Sequence, residues 1–333
     1  MKEPLIILAG PTAVGKTAAS IELAKAVNGE IISADSIQVY KYMDIGSAKI
    51  TKDEMHGIKH YLIDEKFPDE DFNVMLFQKC AREYISQIQS RGKIPIIVGG
   101  TGFYIQAVLY GIEFTEHDTD MEYRNSLFKL SAEKGAEYIY GILKETDPEY
   151  AAIVHANNQK RVIRALEYFH QTGEKFSEHN AEQSKNESPY NFAYFVLTDK
   201  RSILYERIER RIDKMLVCGL TEEVKGLLAM GYGRELVSMQ GLGYKEIAAY
   251  LEGEMSFEEA VSVLKRDTRH FAKRQLTWFR REKDVIFIDK SDYGGDESAI
   301  LKHMLDILKQ KNITNNNSTI SGLTGKSPVS TDI

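Results

Sequence analysis

The sequence predicts an α/β protein: a parallel sheet flanked by helices, interrupted by a separate helical unit. Three observations point there. A continuous apolar run, "LIILA" (5–9), leads directly into a glycine-rich turn and then a helical pattern. Short apolar strands go on alternating with amphipathic helices, which builds right-handed strand–helix–strand units and a parallel sheet. That alternation stops between about 115 and 190, where helical patterns continue with no strong strand.

Each element follows in order. The run 5–9 is apolar throughout, as a strand covered on both faces must be. "TAASIELAKAV" (17–27) carries Ala18, Ile21, Leu23 and Ala24 at helical spacing. "GEIISAD" (29–35) predicts a second strand ending on an acid, and "HYLID" (60–64) a third. Residues 73–92 predict an amphipathic helix stopped by Gly92, a residue free to adopt the left-handed turn that closes helices. "KIPIIVGGTG" (93–102) is a fourth strand running into glycines. After the helical stretch, "FAYFVLT" (192–198) returns as a strand, 200–283 is again helical, and "DVIFIDK" (284–290) is a last strand. The domains expected are therefore a discontinuous core, 1–114 with 191–310, a helical insertion, 115–190, and a polar, disordered tail, 311–333.

Bulk properties narrow the function classes. With 43% hydrophobic and 28% charged residues in 333, the chain can bury a core and is not globally disordered. No apolar run reaches the roughly 20 residues of a membrane span, and the N-terminus lacks the pattern of a signal peptide. Cys80 and Cys218 match no metal spacing, which makes the cytoplasm the natural compartment. A net charge of −6 shifts any argument for nucleic acid onto local patches. A monomer is the default expectation.

"GPTAVGKT" (Gly10, Pro11, Thr12, Ala13, Val14, Gly15, Lys16, Thr17) is a Walker A loop in its proper setting, after a strand and before a helix. Its backbone N–H groups form an anion cradle, Lys16 adds a charge, and the Thr17 hydroxyl can hold Mg²⁺. The fold expected is accordingly P-loop NTPase-like. The loop does not say which phosphate it holds. No Asn-Lys-x-Asp base-reading sequence follows, and the "IPIIV" strand ends in Gly99 and Gly100, not in the acid an ATPase would place there. The early acid at a strand end is Asp35, at the edge where open parallel sheets bind ligands. It can act as a general base, orient a cation through water, or simply cap the turn "SIQVYKYM". In "GGTGFY" (99–104) the glycines let the backbone approach a ligand, and Thr101 can donate to a phosphate or an amine; a plain turn is the competing reading.

Basic clusters supply a second theme. "NNQKRVIRALEYF" (157–169) reads as a helix with Val162, Ala165, Leu166 and Phe169 on one apolar face; it gathers Lys160, Arg161 and Arg164 at its N-terminus, against the helix dipole, which favours an anionic partner. "LYERIERRIDKML" (204–216) interleaves Arg207, Arg210 and Arg211 with acids, much of it ordinary surface pairing. "KRDTRHFAKRQLTWFRREK" (265–283) holds eight Lys or Arg against two acids. On a helix, Arg266, Arg269, Lys273 and Arg280 share one face, with Leu264, Phe271 and Trp278 on another. The basic side reads as a stripe for an RNA backbone.

Together, "GPTAVGKT", "ISADSIQVYKYMDIGSAK", "VGGTGFY", "NQKRVIRALE", "GLGYKE" and "AKRQLTWFR" resemble the tRNA dimethylallyltransferase family, over roughly residues 5 to 290 and in order. The resemblance implies an enzyme that moves a dimethylallyl group from dimethylallyl diphosphate to N6 of adenosine 37 beside the anticodon, with Mg²⁺. It implies that Gly10 to Thr17 bind the diphosphate, with Arg207 or Arg211 as a further ligand and no choice between them. It makes Asp35 the general base and Thr101 a holder of the amine or diphosphate. Asp35, Ser36, Ile37, Gln38 and Thr101 would meet the flipped nucleoside and its neighbours. Gln159, Lys160, Arg161, Val162 and Ile163 would contact the anticodon stem-loop, with Arg124 as a further candidate and Arg269 and Lys273 from the basic stripe. Relatives with a C-terminal zinc finger carry Cys and His that this chain lacks. The rival readings are a P-loop small-molecule kinase using ATP, and a non-catalytic RNA-binding protein that keeps the loop as a switch.

Overall fold

A computed structural model describes residues 2–114 and 121–314. The chain divides into two compact units, 1–109 with 189–333, and 110–188. The joints expected from the sequence, 114/115 and 190/191, lie five and two residues further along the chain.

The first unit holds one six-stranded parallel sheet of β1 (Glu3–Ala9), β2 (Gly29–Ala34), β3 (His60–Tyr61), β4 (Ile94–Gly99), β5 (Tyr190–Thr198) and β6 (Val285–Asp289), in the order β3-β2-β4-β1-β5-β6. β1 is central, and Leu5 to Ala9 have no solvent exposure, which is why this strand reads as an unbroken apolar run. α1 (Lys16–Val27) carries the chain outward from β1 to β2, and α2 (Val74–Ser90) carries it back from β3 to β4. Right-handed crossovers in opposite directions put these two helices on opposite faces of the sheet. Asn73 caps α2 through the amides of Met75 and Leu76, and Gly92, at φ 69°, ends it. The core is completed by α3 (Gly102–Leu109), α9 (Arg201–Val217), α10 (Leu220–Ala229), α11 (Tyr244–Leu251), α12 (Phe257–Phe279) and α13 (Glu297–Gln310).

Two expectations are corrected. The third strand is only two residues long, not five, because Leu62 and Asp64 take left-handed backbone (φ 60° and 56°) and turn the chain off the sheet edge. The tail does not begin at 311: Lys311 caps α13, and Ile313 is buried and donates its amide to Leu308 O. The tail beyond residue 314 lies outside the described residues.

The second unit is helical: α4 (Met121–Lys134), α5 (Ala136–Thr146), α6 (Pro148–Ile153), α7 (Gln159–Thr172) and α8 (Phe176–Gln183). Leu143, Val162, Ile163 and Leu166 belong to its buried apolar cluster.

Candidate active site

Three strand ends meet at the C-terminal edge of the sheet. The register pairs Ala9 with Gly99 and Ala34 with Gly99, so β1, β4 and β2 finish level. Their continuations are the Gly10–Thr17 loop, the Gly99–Thr101 turn and Asp35. This is the crevice where doubly wound sheets take their ligands.

The loop has the backbone its glycines permit. Gly10 sits at φ 151°, and a Cβ there would lie 2.6 Å from Leu197 O; Gly15, at φ 98°, enters α1. Lys16 folds back, its Nζ donating to Gly10 O (2.9 Å) and Pro11 O (2.8 Å). Burial, and then the nearby Arg211 charge, bring its ammonium down to about 7, against a smaller opposing pull from Asp35. Thr17 is exposed in the first turn of α1.

Gln275 of α12 joins the loop to the glycine turn. Its Oε1 accepts from Thr12 N (2.9 Å) and its Nε2 donates to Gly100 O (2.9 Å). A Cβ on Gly100 would come within 2.1 Å of that Nε2, so the residue must be glycine for the staple to close. Thr101 N in turn donates to Ala34 O (3.3 Å), tying the turn to the end of β2, which Asp35 follows.

A cavity of about 440 Å³ opens beside this junction. Asp35, Thr101 and Arg211 line its polar side; Ile212, Leu264 and Phe271 line its apolar side. Asp35 Oδ1 accepts from Ile37 N (2.9 Å) and more weakly from Gln38 N (3.4 Å), while Oδ2 takes no hydrogen bond among the described residues. Asp35 is thus a turn cap and a cavity carboxylate at once. The two candidate arginines separate: Arg211 lines the cavity, where burial lowers its pKa and Asp35 opposes the shift, whereas Arg207 is bound to the buried Asp199 (2.8 Å). Ser36 and Ile37 also line the cavity, but the Gln38 side chain turns away to Ser47 O and Ala48 O.

Among the residues expected on the RNA side, Gln159, Lys160 and Arg161 stand exposed at the start of α7. Val162 and Ile163 do not: both are 1% exposed inside the apolar cluster of that unit, so their side chains are unavailable to a partner. The helical spacing had already put Val162 on the inner face. Arg124 is paired with the fully buried Glu167 (2.8 Å), so its charge is largely committed within the fold. The α12 stripe is also less free than its sequence suggests. Lys265 pairs with Asp213, Arg266 with Asp267 and Arg269 with Glu209 (2.6 Å), while Lys273 is exposed and has no ion-pair partner among the described residues.

Sequence reasoning missed Gln275 and Lys290. The second is buried, with Nζ 3.4 Å from Val14 O and paired to Glu297. Neither leaves a periodic trace; Gln275 lies inside a quoted motif, and its polar side chain at a buried helix position was the available signal.

The sequence model described as IPP transferase matches residues 38–282. A relative from Lachnoclostridium phytofermentans, named tRNA dimethylallyltransferase, is 63% identical over 93% of this chain and 99% of its own length. Another of that name, from Acetivibrio thermocellus, is 51% identical over 90% and 97%. Among solved structures, the tRNA isopentenylpyrophosphate transferase of Bacillus halodurans is similar at TM-score 0.69 and 44% identity, covering 93% of this chain and 98% of that one. A eukaryotic dimethylallyltransferase acting on tRNA is similar at TM-score 0.77 and 29% identity, covering 93% and 80%.

Proposed function

The chain belongs to the IPP transferase family and transfers a dimethylallyl group to tRNA; from that premise we propose that its acceptor is N6 of adenosine 37, its donor dimethylallyl diphosphate, and its loop a holder for the leaving group. The observation that carries this reading is the convergence of Asp35, Thr101 and Arg211 on one half-apolar cavity, joined to the phosphate loop through Gln275.

The chemistry assigns each group a task. The N6 lone pair is delocalised into the adenine ring, so the amine is a weak nucleophile. Asp35 takes its proton as the new C–N bond forms, and the C–O bond to diphosphate breaks. Lys16, Arg211 and the loop amides meet the charge building on the leaving oxygen. Mg²⁺ fits this donor set. No group of three His, Cys, Asp or Glu suited to a metal occurs among the described residues, but Mg²⁺ is ordinarily held by one or two protein oxygens plus substrate phosphates. Thr17 would be such a protein ligand, and the cation would supply further charge neutralisation at the diphosphate. The target base must leave the RNA stack to reach the cavity. No helix among the described residues is long and apolar enough to cross a membrane. The cytoplasm is proposed as the compartment because the acceptor is tRNA.

The kinase alternative is disfavoured because β4 ends in Gly99, with Gly100 next, and offers no acid at that strand end. Incubating the protein with Mg²⁺, unmodified tRNA and dimethylallyl diphosphate should yield N6-dimethylallyladenosine on nucleoside analysis. Tracts of tRNA recovered wholly unmodified would contradict the assignment.

Two quantitative expectations arise from the site. With a free-state pKa of about 7, Lys16 is mostly neutral at higher pH, and a bound diphosphate raises its pKa. Binding near pH 8 should therefore take up as much as about one proton, and affinity should fall as pH rises above 7. Calorimetry in buffers of different ionisation enthalpy reads this directly; no buffer dependence would contradict it. On the RNA side, Lys273→Ala should flatten the dependence of log affinity for tRNA on log salt by about 0.7–0.9. Arg269→Ala should change it less, because Glu209 already neutralises that charge.

A further inference from the structure

The segment after Asp35 has little regular structure, yet Ser36, Ile37, Gly46 and Ser47 all line the cavity. Something must hold it. One carboxylate does so from α10. Glu223 Oε2 accepts from the amides of Asp44 (2.9 Å) and Ile45 (2.7 Å), and its Oε1 accepts from Gly46 N (3.0 Å) and the Tyr244 hydroxyl (2.8 Å). Three successive backbone N–H groups converging on one anion form a nest, here closed by a side chain of the protein itself. Four donors saturate the carboxylate, and charge-assisted bonds of this kind are the strong ones.

The fit around this contact is close. Tyr244 is wholly buried, and a Cβ at Gly46 would lie 2.6 Å from its ring. Elsewhere on the segment, Lys49 Nζ binds Tyr40 O, Asp44 Oδ1 and Asp64 Oδ1, each at 2.6 Å. Gln38 is tied to Ser47 O and Ala48 O. Glu223 touches the 44–46 segment through backbone alone, so it fixes the path of the chain there directly.

We infer that Glu223 is a positioning residue for the reaction: it braces the 44–46 backbone, closed by Tyr244, as the wall of the cavity on the acceptor side of Asp35. The inference rests on the functional reading above and adds a residue that does not itself line the cavity. It separates the two substrates. The diphosphate cradle is built on β1, β4 and α12, whereas the braced segment follows β2.

The test is Glu223→Gln, which keeps size but turns an amide N–H₂ toward backbone donors. kcat/KM for tRNA should fall about ten- to a hundredfold, the scale of small misplacements at a reacting centre. The dissociation constant for dimethylallyl diphosphate, by calorimetry, should stay within about threefold of wild type, since the cradle of backbone amides and Lys16 is unaltered. Tyr244→Phe removes one donor of four and should give a smaller loss. Amide hydrogen exchange at 44–46 should be slow in the wild type and fast in Glu223→Gln. Unchanged tRNA kinetics, unchanged exchange, or an equal loss of diphosphate binding with a lowered Tm would each overturn the inference. Wild-type protein that prenylates no tRNA would instead overturn the functional reading, and the exchange measurement reads the brace independently of it.

Discussion

Asp35→Asn is expected to lower kcat by about 10²- to 10⁴-fold, the usual span for losing a general base. KM for tRNA should change little, because asparagine keeps an oxygen that can accept from Ile37 N and Gln38 N, as Asp35 Oδ1 does. Asp35→Ala is a less clean test. It deletes the cap along with the base, loosens the turn that carries Ser36 and Ile37, and so mixes positioning with chemistry. Steady-state kinetics on both variants separate the roles. If Asp35→Asn retains near-wild-type kcat, the carboxylate is a cap and the base is elsewhere.

Arg211→Ala carries the second large effect. Arg211 is the arginine of α9 that lines the cavity, and in the proposed reaction its charge would meet the leaving diphosphate. Its removal should cost about 10²- to 10³-fold in kcat/KM for dimethylallyl diphosphate, comparable to losing one fixed donor from a site that stabilises developing charge. It should also let the Lys16 pKa rise in the free protein, since Arg211 is one of the causes holding it down. Arg207→Ala is the matched control. It breaks the ion pair with buried Asp199 and should cost about 2 kcal/mol of stability, the scale of a charged hydrogen bond, with kcat/KM little altered. Equal kinetic losses in the two variants would contradict the assignment of Arg211.

These arginines show what was legible in the sequence and what was not. They lie four residues apart, one turn along the same helix, so spacing places both on one face and cannot choose between them. The choice is made by Asp199 at the end of the preceding strand, which captures Arg207. The strands were readable because a sheet covered on both faces must be apolar at every position. β3 was overread for the same reason: "HYLID" is apolar enough, but left-handed backbone at Leu62 and Asp64 is invisible to hydropathy. For Val162, helical periodicity and family resemblance pointed in different directions. The periodicity was the better guide to its side chain, which is buried. The α12 stripe was overread because charge counting ignores partners on other elements, such as Glu209 and Asp213. Gln275 and Glu223 work mainly through backbone amides and carbonyls; beyond the room that Gly100 and Gly46 leave and the Tyr244 hydroxyl, such contacts name no residue type at the other end. No period therefore advertises them, and of the two only Gln275 lies inside a quoted motif.

In the proposed reaction the loop Gly10–Thr17 steadies a leaving diphosphate and does not deliver a phosphoryl group. The most direct measurement offers both donors at once: the protein, Mg²⁺, unmodified tRNA, carbon-labelled dimethylallyl diphosphate and ATP labelled on its terminal phosphate. The expected result is carbon label on N6 of a single adenosine beside the anticodon, diphosphate released intact, and no phosphate label on any acceptor. Transfer of the ATP label to an acceptor, with no carbon label in the tRNA, would instead make the loop a phosphoryl-transfer site.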